Sequence, residues 1–598
     1  MKSLAPYKQD LLVALALLCL SLVFFWPVVV GGRTLLPADI PYQYAPWSAS
    51  AAQMGVSVPQ NHLLADLILE NYAWKKFILE SLGRMELPLW NPYLFAGVPF
   101  LAAGQHSALY PLSIVFYLLP LAQAYGVFTA LQIFIACLGG YVFLRVLGTG
   151  RFAAALAGLV YGFSGFMLVS VAFSMVIAAA CWLPWALAAT ELAICGYDPQ
   201  RHSRTSPRLL YLLAGSLVLG LQFLAGHVDT SYYILMVQGF YSAWRLAGML
   251  WATRSWSRVL PVGLMLLGMV ALGIGLAAVQ LAPLFELVRA NFRQGSVSYD
   301  EVVGWALPWR RAISFLIPDF FGNPSQHSYF DLLSFSTKAV TENAKGQPLT
   351  NIPENIFGVK NYVESGSYLG ILPLLLGITA LVRRRLVSDA HRGAIWLFTA
   401  LAVVSLLLAF GTPLYALLFY GLPGYNQLHS PFRWIFPYTL SLSVLAGLGA
   451  QSLVEMARGA ERERWVRLAG PGATAVGLAG LGVLGMSLAF RERAADLAAA
   501  VMQRSASLQE VFSGGGMLYS YEARNLAVFF AFVTLAGLVL VAARSGLRLR
   551  GVPAWQPFAL AVVAVDLYLA FGGFNPATDP RLLEFTPGAI QFLQADKS

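Results

Sequence analysis

Leu11–Val30 reads LLVALALLCLSLVFFWPVVV, and residues 31–47 continue it as GGRTLLPADIPYQYAPW. About twenty apolar residues suffice to cross a bilayer. An apolar run of that length, ending in a polar and aromatic loop, holds the loop against a membrane face. The loop carries Asp39 and, further on, Asp66 and Glu70. A carboxylate there can work on a substrate whose other end is dissolved in lipid.

The rest of the chain has the same character. Of its 598 residues, 58% are hydrophobic and 11% charged, with a mean hydropathy of +0.65. A soluble domain carries about 25% charged residues, so the composition points to a polytopic membrane protein. The net charge of +10 comes from short basic clusters between apolar spans, the pattern of cytoplasmic membrane loops and not of a nucleic-acid surface. Cys19, Cys137, Cys181 and Cys195 lie in or beside apolar spans and read as small core residues. Lys2 and Lys8 before Leu11–Val30 resemble a signal peptide, but the run is long and Gly31-Gly32-Arg33 is a poor cleavage site, so an uncleaved first helix is expected.

The positive-inside rule threads the chain. Lys2 and Lys8 put the N-terminus in the cytoplasm, and residues 31–123 form a first external loop. Arg145 and Arg151 mark the return. Arg201, Arg204 and Arg208, then Arg245, Arg254 and Arg258, then Arg383, Arg384, Arg385 and Arg392 fall on the same inner side. So do Arg458, Arg462, Arg464 and Arg467, and then Arg544, Arg548 and Arg550. This gives an all-α domain over 1–573 with about 13 transmembrane helices. A second large external loop is expected at 282–366 and an external tail at 574–598. Within the first loop, Leu63, Leu64, Leu67, Trp74, Ile78 and Leu82 have the spacing of an amphipathic helix lying on the membrane surface. Tyr110–Leu121 is expected to be interfacial as well.

The threading brings distant polar groups to one face. Asp39, between Pro37 and Pro41, is either a base for an acceptor hydroxyl or a carboxylate capping a short helix. Asp66 and Glu70, four apart on one helix edge, either bind a divalent cation or pair with Lys75, Lys76 or Arg84. His227, in Gly226-His227-Val228-Asp229, either handles a proton or phosphate or serves as a turn residue. Gln280 and Glu286 end a helix on the same side, where Gln280 either lines a site or ties helices together. Glu364 joins this external set. Arg433, in Ser430-Pro431-Phe432-Arg433, is an arginine on the non-cytoplasmic side, suited to a phosphate or to lipid headgroups. Asp566 lies inside the last span and calls for a buried structural partner. Gly480-Leu481-Gly482-Val483-Leu484-Gly485 matches a dinucleotide fingerprint by letter only; it lies in a span with no preceding strand.

Several of these stretches carry a family likeness. Asp66-Leu67-Ile68-Leu69-Glu70-Asn71 leads on to Leu87-Pro88-Leu89-Trp90-Asn91-Pro92, with Gln105 and Tyr110-Pro111-Leu112 after it. Ala225-Gly226-His227, Gln280-Leu281-Ala282-Pro283, Tyr368-Leu369-Gly370 and Phe574-Asn575-Pro576 follow. The chain resembles the bacterial YfhO family of membrane proteins, itself similar to the GT-C class of glycosyltransferases. The resemblance implies a GT-C-like fold in the bacterial cell (inner) membrane. It implies transfer of a sugar from a polyprenyl-phosphate donor to a cell-envelope acceptor such as a teichoic acid or polysaccharide. It further implies catalytic roles for Asp39 and Asp66. For that reaction His227, Arg433, Gln280, Glu364 and Glu70 are expected to contact the donor phosphate or substrate. A Mg²⁺ or Mn²⁺ cofactor, held by Asp39 and Asp66, is within that expectation. Family members usually run further than Ser598, so a shortened version is expected. A transporter or flippase for a lipid-linked sugar, and a non-catalytic membrane scaffold, are the alternatives.

Overall fold

The computed structural model of the chain describes residues 8–197, 208–290, 297–353, 360–428, 430–458 and 464–596. Lys2, Arg201, Arg204 and Arg462 of the charge pattern lie outside them. The described chain is helical throughout its apolar parts. In order, the main helices are α1 (Lys8–Phe24), α2 (Tyr72–Gly83), α3 (Leu121–Val146), α4 (Arg151–Gly162), α5 (Leu183–Tyr197), α6 (Arg208–Leu224) and α7 (Val228–Thr253). They continue as α8 (Trp256–Leu276), α9 (Ile371–Arg383), α10 (Asp389–Ala409), α11 (Ile435–Arg458), α12 (Arg464–Ala489), α13 (Gly515–Ala542) and α14 (Trp555–Phe571).

Among the described residues, eight helices are long and apolar enough to span a bilayer, and three apolar helices are shorter. The figure of about 13 exceeds these eight partly because several apolar stretches form short helices. The stretch Arg151–Ala172 is 89% buried and Leu468–Ala489 only 6%. The first is therefore a central element and the second a peripheral one. Central packing rests on small residues. A Cβ at Gly158 would sit 2.3 Å from the Cys137 carbonyl oxygen, so only glycine lets α4 approach α3 this closely. None of the four cysteines is in a disulfide.

Side-chain contacts sort the loops into two ends. At one, Asp10 pairs with Arg151 at 2.9 Å and Arg145 at 3.4 Å. There, too, Gly150 N–H donates to Gln451 at 2.8 Å, and the His391 ring meets the Leu147 carbonyl at 3.2 Å. At the other end, Thr34 and Thr578 exchange both backbone hydrogen bonds, at 3.1 and 2.9 Å. Asn61 Nδ2 donates to the Phe574 carbonyl at 2.8 Å. A small outer body, the hairpin Ser328–Asp331/Ser336–Ala339 with its Ser328↔Ala339 register, packs on α13. The segments around Arg145, Arg151, His391 and Gln451 thus meet at one end, and the first loop meets the tail at the other. Asp566 has the buried partners expected of it: Tyr368 OH donates at 2.7 Å and the Ile371 N–H at 3.0 Å.

Two first-loop expectations are corrected. The amphipathic helix does not lie with its apolar face on lipid. Leu64, Leu67 and Ile78, each 1% exposed, pack into the protein instead. Tyr110–Leu121 is corrected in part: Tyr110 and Phe116 are fully buried, the Tyr110 hydroxyl reaching Gln132 at 3.0 Å on α3, while Ile114 and Leu118 on the other side stay exposed.

The inward packing of α2 buries Lys75. Its Nζ donates to the His106 carbonyl at 2.6 Å and lies 4.4 Å above the Phe116 ring. Burial holds this ammonium down from the usual 10.5 to about 7. Between those values the unfolded chain holds one more proton than the folded one, so stability rises with pH across that window. Lys75→Met is expected to raise the apparent melting temperature at pH 6–7, by removing a penalty of a few kcal/mol at most. The gain should shrink toward pH 9.5, a trend that thermal scans of the purified protein in detergent at several pH values would show.

Candidate functional site

The helical segment preceding α2 brings the first two carboxylates into place. Asn61 caps it, its Oδ1 accepting from the Leu63 N–H at 3.1 Å. A wider π-helical turn follows at Leu67–Asn71. Such turns are frequent at functional sites, and here it keeps Asp66 and Glu70 on one edge. Both line a cavity of about 390 Å³ at the loop-rich end. Asn71, beside them, accepts from Tyr125 OH at 2.8 Å through Oδ1. Its Nδ2 is buried with no hydrogen-bond partner, although Asn71 lines the cavity and is only 4% exposed. A buried donor left open costs free energy unless something accepts from it.

Across the cavity stand His227 and Arg433. His227 caps α7, its Nδ1 accepting from the Thr230 N–H at 3.2 Å. That bond assigns the proton of the neutral ring to Nε2, leaving an N–H to donate. Burial first, and then the Arg433 charge, hold the ring down to about 4, with Asp229 pulling the other way. The imidazole therefore stays neutral at ordinary pH. Arg433 sits in the turn Pro431–Trp434 that starts α11 and pairs through Nη1 with Asp229 in the first turn of α7. Trp434 Nε1 donates to Tyr425 OH at 2.7 Å, which fixes that turn.

The second loop supplies Glu364. Its Oε1 meets Lys360 Nζ at 3.3 Å and its Oε2 accepts from the Asn361 N–H at 3.1 Å. Beneath this turn Arg311, 2% exposed, reaches the Lys360 carbonyl at 2.5 Å and the Ser365 hydroxyl at 3.3 Å. Phe166, Phe173, Val176 and Phe436 give the cavity an apolar wall, with Phe166 and Phe436 stacked at 4.9 Å. Burial, with the neighbouring Asp66 charge adding to it, pushes the Glu70 carboxyl above its usual value. It is therefore a stronger base, once ionised, than a solvated glutamate.

The structure thus gathers five of the residues singled out from sequence: Asp66, Glu70, His227, Glu364 and Arg433. It does not place the other two with them. Asp39 is 4% exposed and lies outside the cavity lining. Its Oδ2 accepts from the Gln60 N–H at 2.7 Å, and burial raises its pKa. Its Oδ1 is buried with no hydrogen-bond partner. Gln280 ties helix Ala278–Ala290 to the first loop, donating to the Leu101 carbonyl at 2.8 Å. Asp39 is therefore not available to share an ion with Asp66 in this cavity. Among the described residues, no three His, Cys, Asp or Glu side chains are grouped to hold a metal. Sequence reasoning quoted Asn71 and Gln105 only within the family likeness and missed Asn361; all three also line the cavity. Neutral amides leave no mark in a charge pattern, although Asn71 directly follows Glu70.

Gly226 holds the His227 turn against the first loop. Its φ is +89°, and a Cβ there would come within 2.0 Å of the Gly104 carbonyl oxygen. The Ser107 hydroxyl bonds the adjacent Ala225 carbonyl at 2.7 Å. Gly226→Ala is expected to destabilise the protein by about 2–4 kcal/mol, read as a lowered melting temperature in detergent.

No family model matches the chain, and neither does any curated protein. Among solved structures it is similar to ArnT from Cupriavidus metallidurans bound to undecaprenyl phosphate. That match has 15% identity and a TM-score of 0.45, covering 96% of this chain and 78% of that one. The apo state of the same protein gives 14% identity and a TM-score of 0.42, covering 97% and 78%. The Archaeoglobus fulgidus oligosaccharyltransferase in its apo form gives 12% and 0.34, covering 89% and 56%.

Proposed function

We propose that the chain is a membrane glycosyltransferase. In this reading it moves a sugar from a polyprenyl-phosphate carrier to a hydroxyl of a cell-envelope acceptor, on the outer face of a bacterial cell membrane. The observation that carries this is the single cavity in which the carboxylates of Asp66 and Glu70 share walls with the cation of Arg433 and the N–H of His227. The family resemblance of the Asp66–Asn71 and Leu87–Pro92 stretches supports it.

The chemistry follows from those groups. Asp66 or Glu70 takes the proton of the acceptor hydroxyl as its oxygen attacks the anomeric carbon. The bond from that carbon to the phosphate oxygen breaks, and its electron pair leaves with the polyprenyl phosphate. Arg433 and the His227 N–H stabilise the charge that develops on that phosphate. Attack opposite the leaving group inverts the anomeric centre. Asn71 Nδ2 is a further donor to sugar or phosphate oxygen. Asp66 and Glu70 also offer the oxygen donors that Mg²⁺ or Mn²⁺ prefers; EDTA treatment with metal add-back reads out that part of the proposal.

The test is the purified full chain in vesicles with a panel of polyprenyl-phosphate sugars and an envelope extract. Release of polyprenyl phosphate coupled to labelled, lipid-free glycan is the expected result. Transport of the intact lipid-linked sugar without cleavage of its phosphate bond would overturn the proposal, as would no turnover of any donor.

A further inference from the structure

Next to the candidate site lies a second cleft of about 670 Å³, lined by Glu301, Gly304, Trp305, Lys360, Glu364, Ser430 and Phe432. Glu364, Ser430 and Phe432 line both spaces. They form a partition with the carboxylate cavity on one side and the wider cleft on the other. A transfer enzyme needs two substrates that meet at one point, and this partition is where occupants of the two spaces would touch.

The chemistry of the second cleft differs from that of the first. Lys360, its one cation among the described residues, is already engaged. Its side chain is 4% exposed, its Nζ is 3.3 Å from Glu364 Oε1, and it lies 4.5 Å above the Phe432 ring. Among the described lining residues that leaves the Glu301 carboxylate without a matching cation, and Asp300 precedes it on the same short helix, Tyr299–Gly304. A space with surplus negative charge repels a phosphate-rich chain. Trp305, 36% exposed, adds an aromatic surface at the edge of the cleft, and Gly304 beside it adds no side-chain bulk. An indole face takes the C–H side of a sugar ring, while carboxylates accept from its hydroxyls.

We propose that this second cleft is the acceptor site and that it takes a neutral, polyhydroxylated glycan, not a polyanionic polymer. One ring lies on Trp305, with its hydroxyls donating to Glu301. The attacking hydroxyl passes the Glu364–Phe432 partition toward the donor cavity. The role of the cleft as acceptor site rests on the transfer reading above; its preference for a neutral sugar rests on the lining alone.

The experiment separates the two. The full chain is labelled with 5-fluorotryptophan in detergent, and the line of residue 305 is assigned by its loss in Trp305→Phe. Maltotriose, mannotriose and cellotriose are titrated against a glycerol-phosphate trimer. At least one neutral trisaccharide is expected to shift the 305 line, saturating at roughly millimolar concentration, while the phosphate trimer leaves it unmoved. In saturation-transfer measurements Trp305→Ala should weaken trisaccharide binding about 10-fold or more, and Trp305→Phe by less, because it keeps an aromatic face. No shift with any trisaccharide, or an equal shift with the phosphate trimer, overturns the inference. An indole that only anchors the chain at the membrane interface gives the first of these results. Failure of the transfer reading shows elsewhere, as absent donor cleavage by wild-type protein, and leaves the fluorine readout intact.

Discussion

Asp66→Asn is expected to lower sugar transfer in membranes by about 10²- to 10⁴-fold at unchanged protein level, the usual contribution of a positioned base. Glu70→Gln should fall in the same range if Glu70 takes the proton, and within about 10-fold if Asp66 does. Asp39→Asn should leave turnover within about 3-fold, because asparagine keeps an oxygen for the Gln60 N–H and the residue lies outside the cavity. Initial rates with a lipid-linked donor, normalised to immunoblot signal, distinguish these outcomes. Loss of transfer in Asp39→Asn with near-normal rates in Asp66→Asn would return the catalytic role to Asp39 and remove the cavity from the mechanism. The pH profile adds a check. His227 is held down to about 4, so no break near the usual histidine value should vanish when it is replaced by glutamine.

Arg433→Gln is expected to reduce kcat/KM for the lipid-linked donor by roughly 10- to 10³-fold, or about 1.4–4 kcal/mol of transition-state stabilisation. The magnitude decides what the residue does. Its ion pair with Asp229 joins side chains 30% and 36% exposed, and pairs of that kind contribute about 0–1 kcal/mol. A purely structural arginine would therefore cost little, and Asp229→Asn would cost about the same. If Arg433 serves the departing phosphate, Arg433→Gln is far worse than Asp229→Asn, and combining the two does not restore activity. Equal, small effects of the two single changes would assign Arg433 to packing between α7 and α11.

What the sequence could reveal about this site depended on charge. Asp66, Glu70, His227, Glu364 and Arg433 lie far apart in the chain, yet alternate apolar runs and arginine-rich loops force them to one end of the bundle. The side of the membrane follows from counting spans, and convergence follows from the side. The direction in which a side chain points does not follow. Asp39 sits in a proline-stiffened turn beside the first span, and nothing in that turn tells a carboxylate facing substrate from one bonded to Gln60. Gln280 left the same ambiguity, and its contact with the Leu101 carbonyl places it outside the cavity. The helix bearing Asp66 had the spacing of a surface helix. Periodicity identifies an apolar face without saying whether lipid or protein covers it, and here Leu64, Leu67 and Ile78 are covered by protein. Broken helices also escaped the pattern. Ser164 caps a new short helix, Gly165–Val169, inside an apolar stretch that reads as continuous.

The bond from Asn61 to the Phe574 carbonyl joins positions 513 residues apart, and Asn61 starts the segment that carries Asp66 and Glu70. During synthesis this anchor does not exist until α14 has left the ribosome and the residues after it have folded back. This tie between the pocket's first segment and the far end of the described chain is therefore made only after residue 574 has been synthesised.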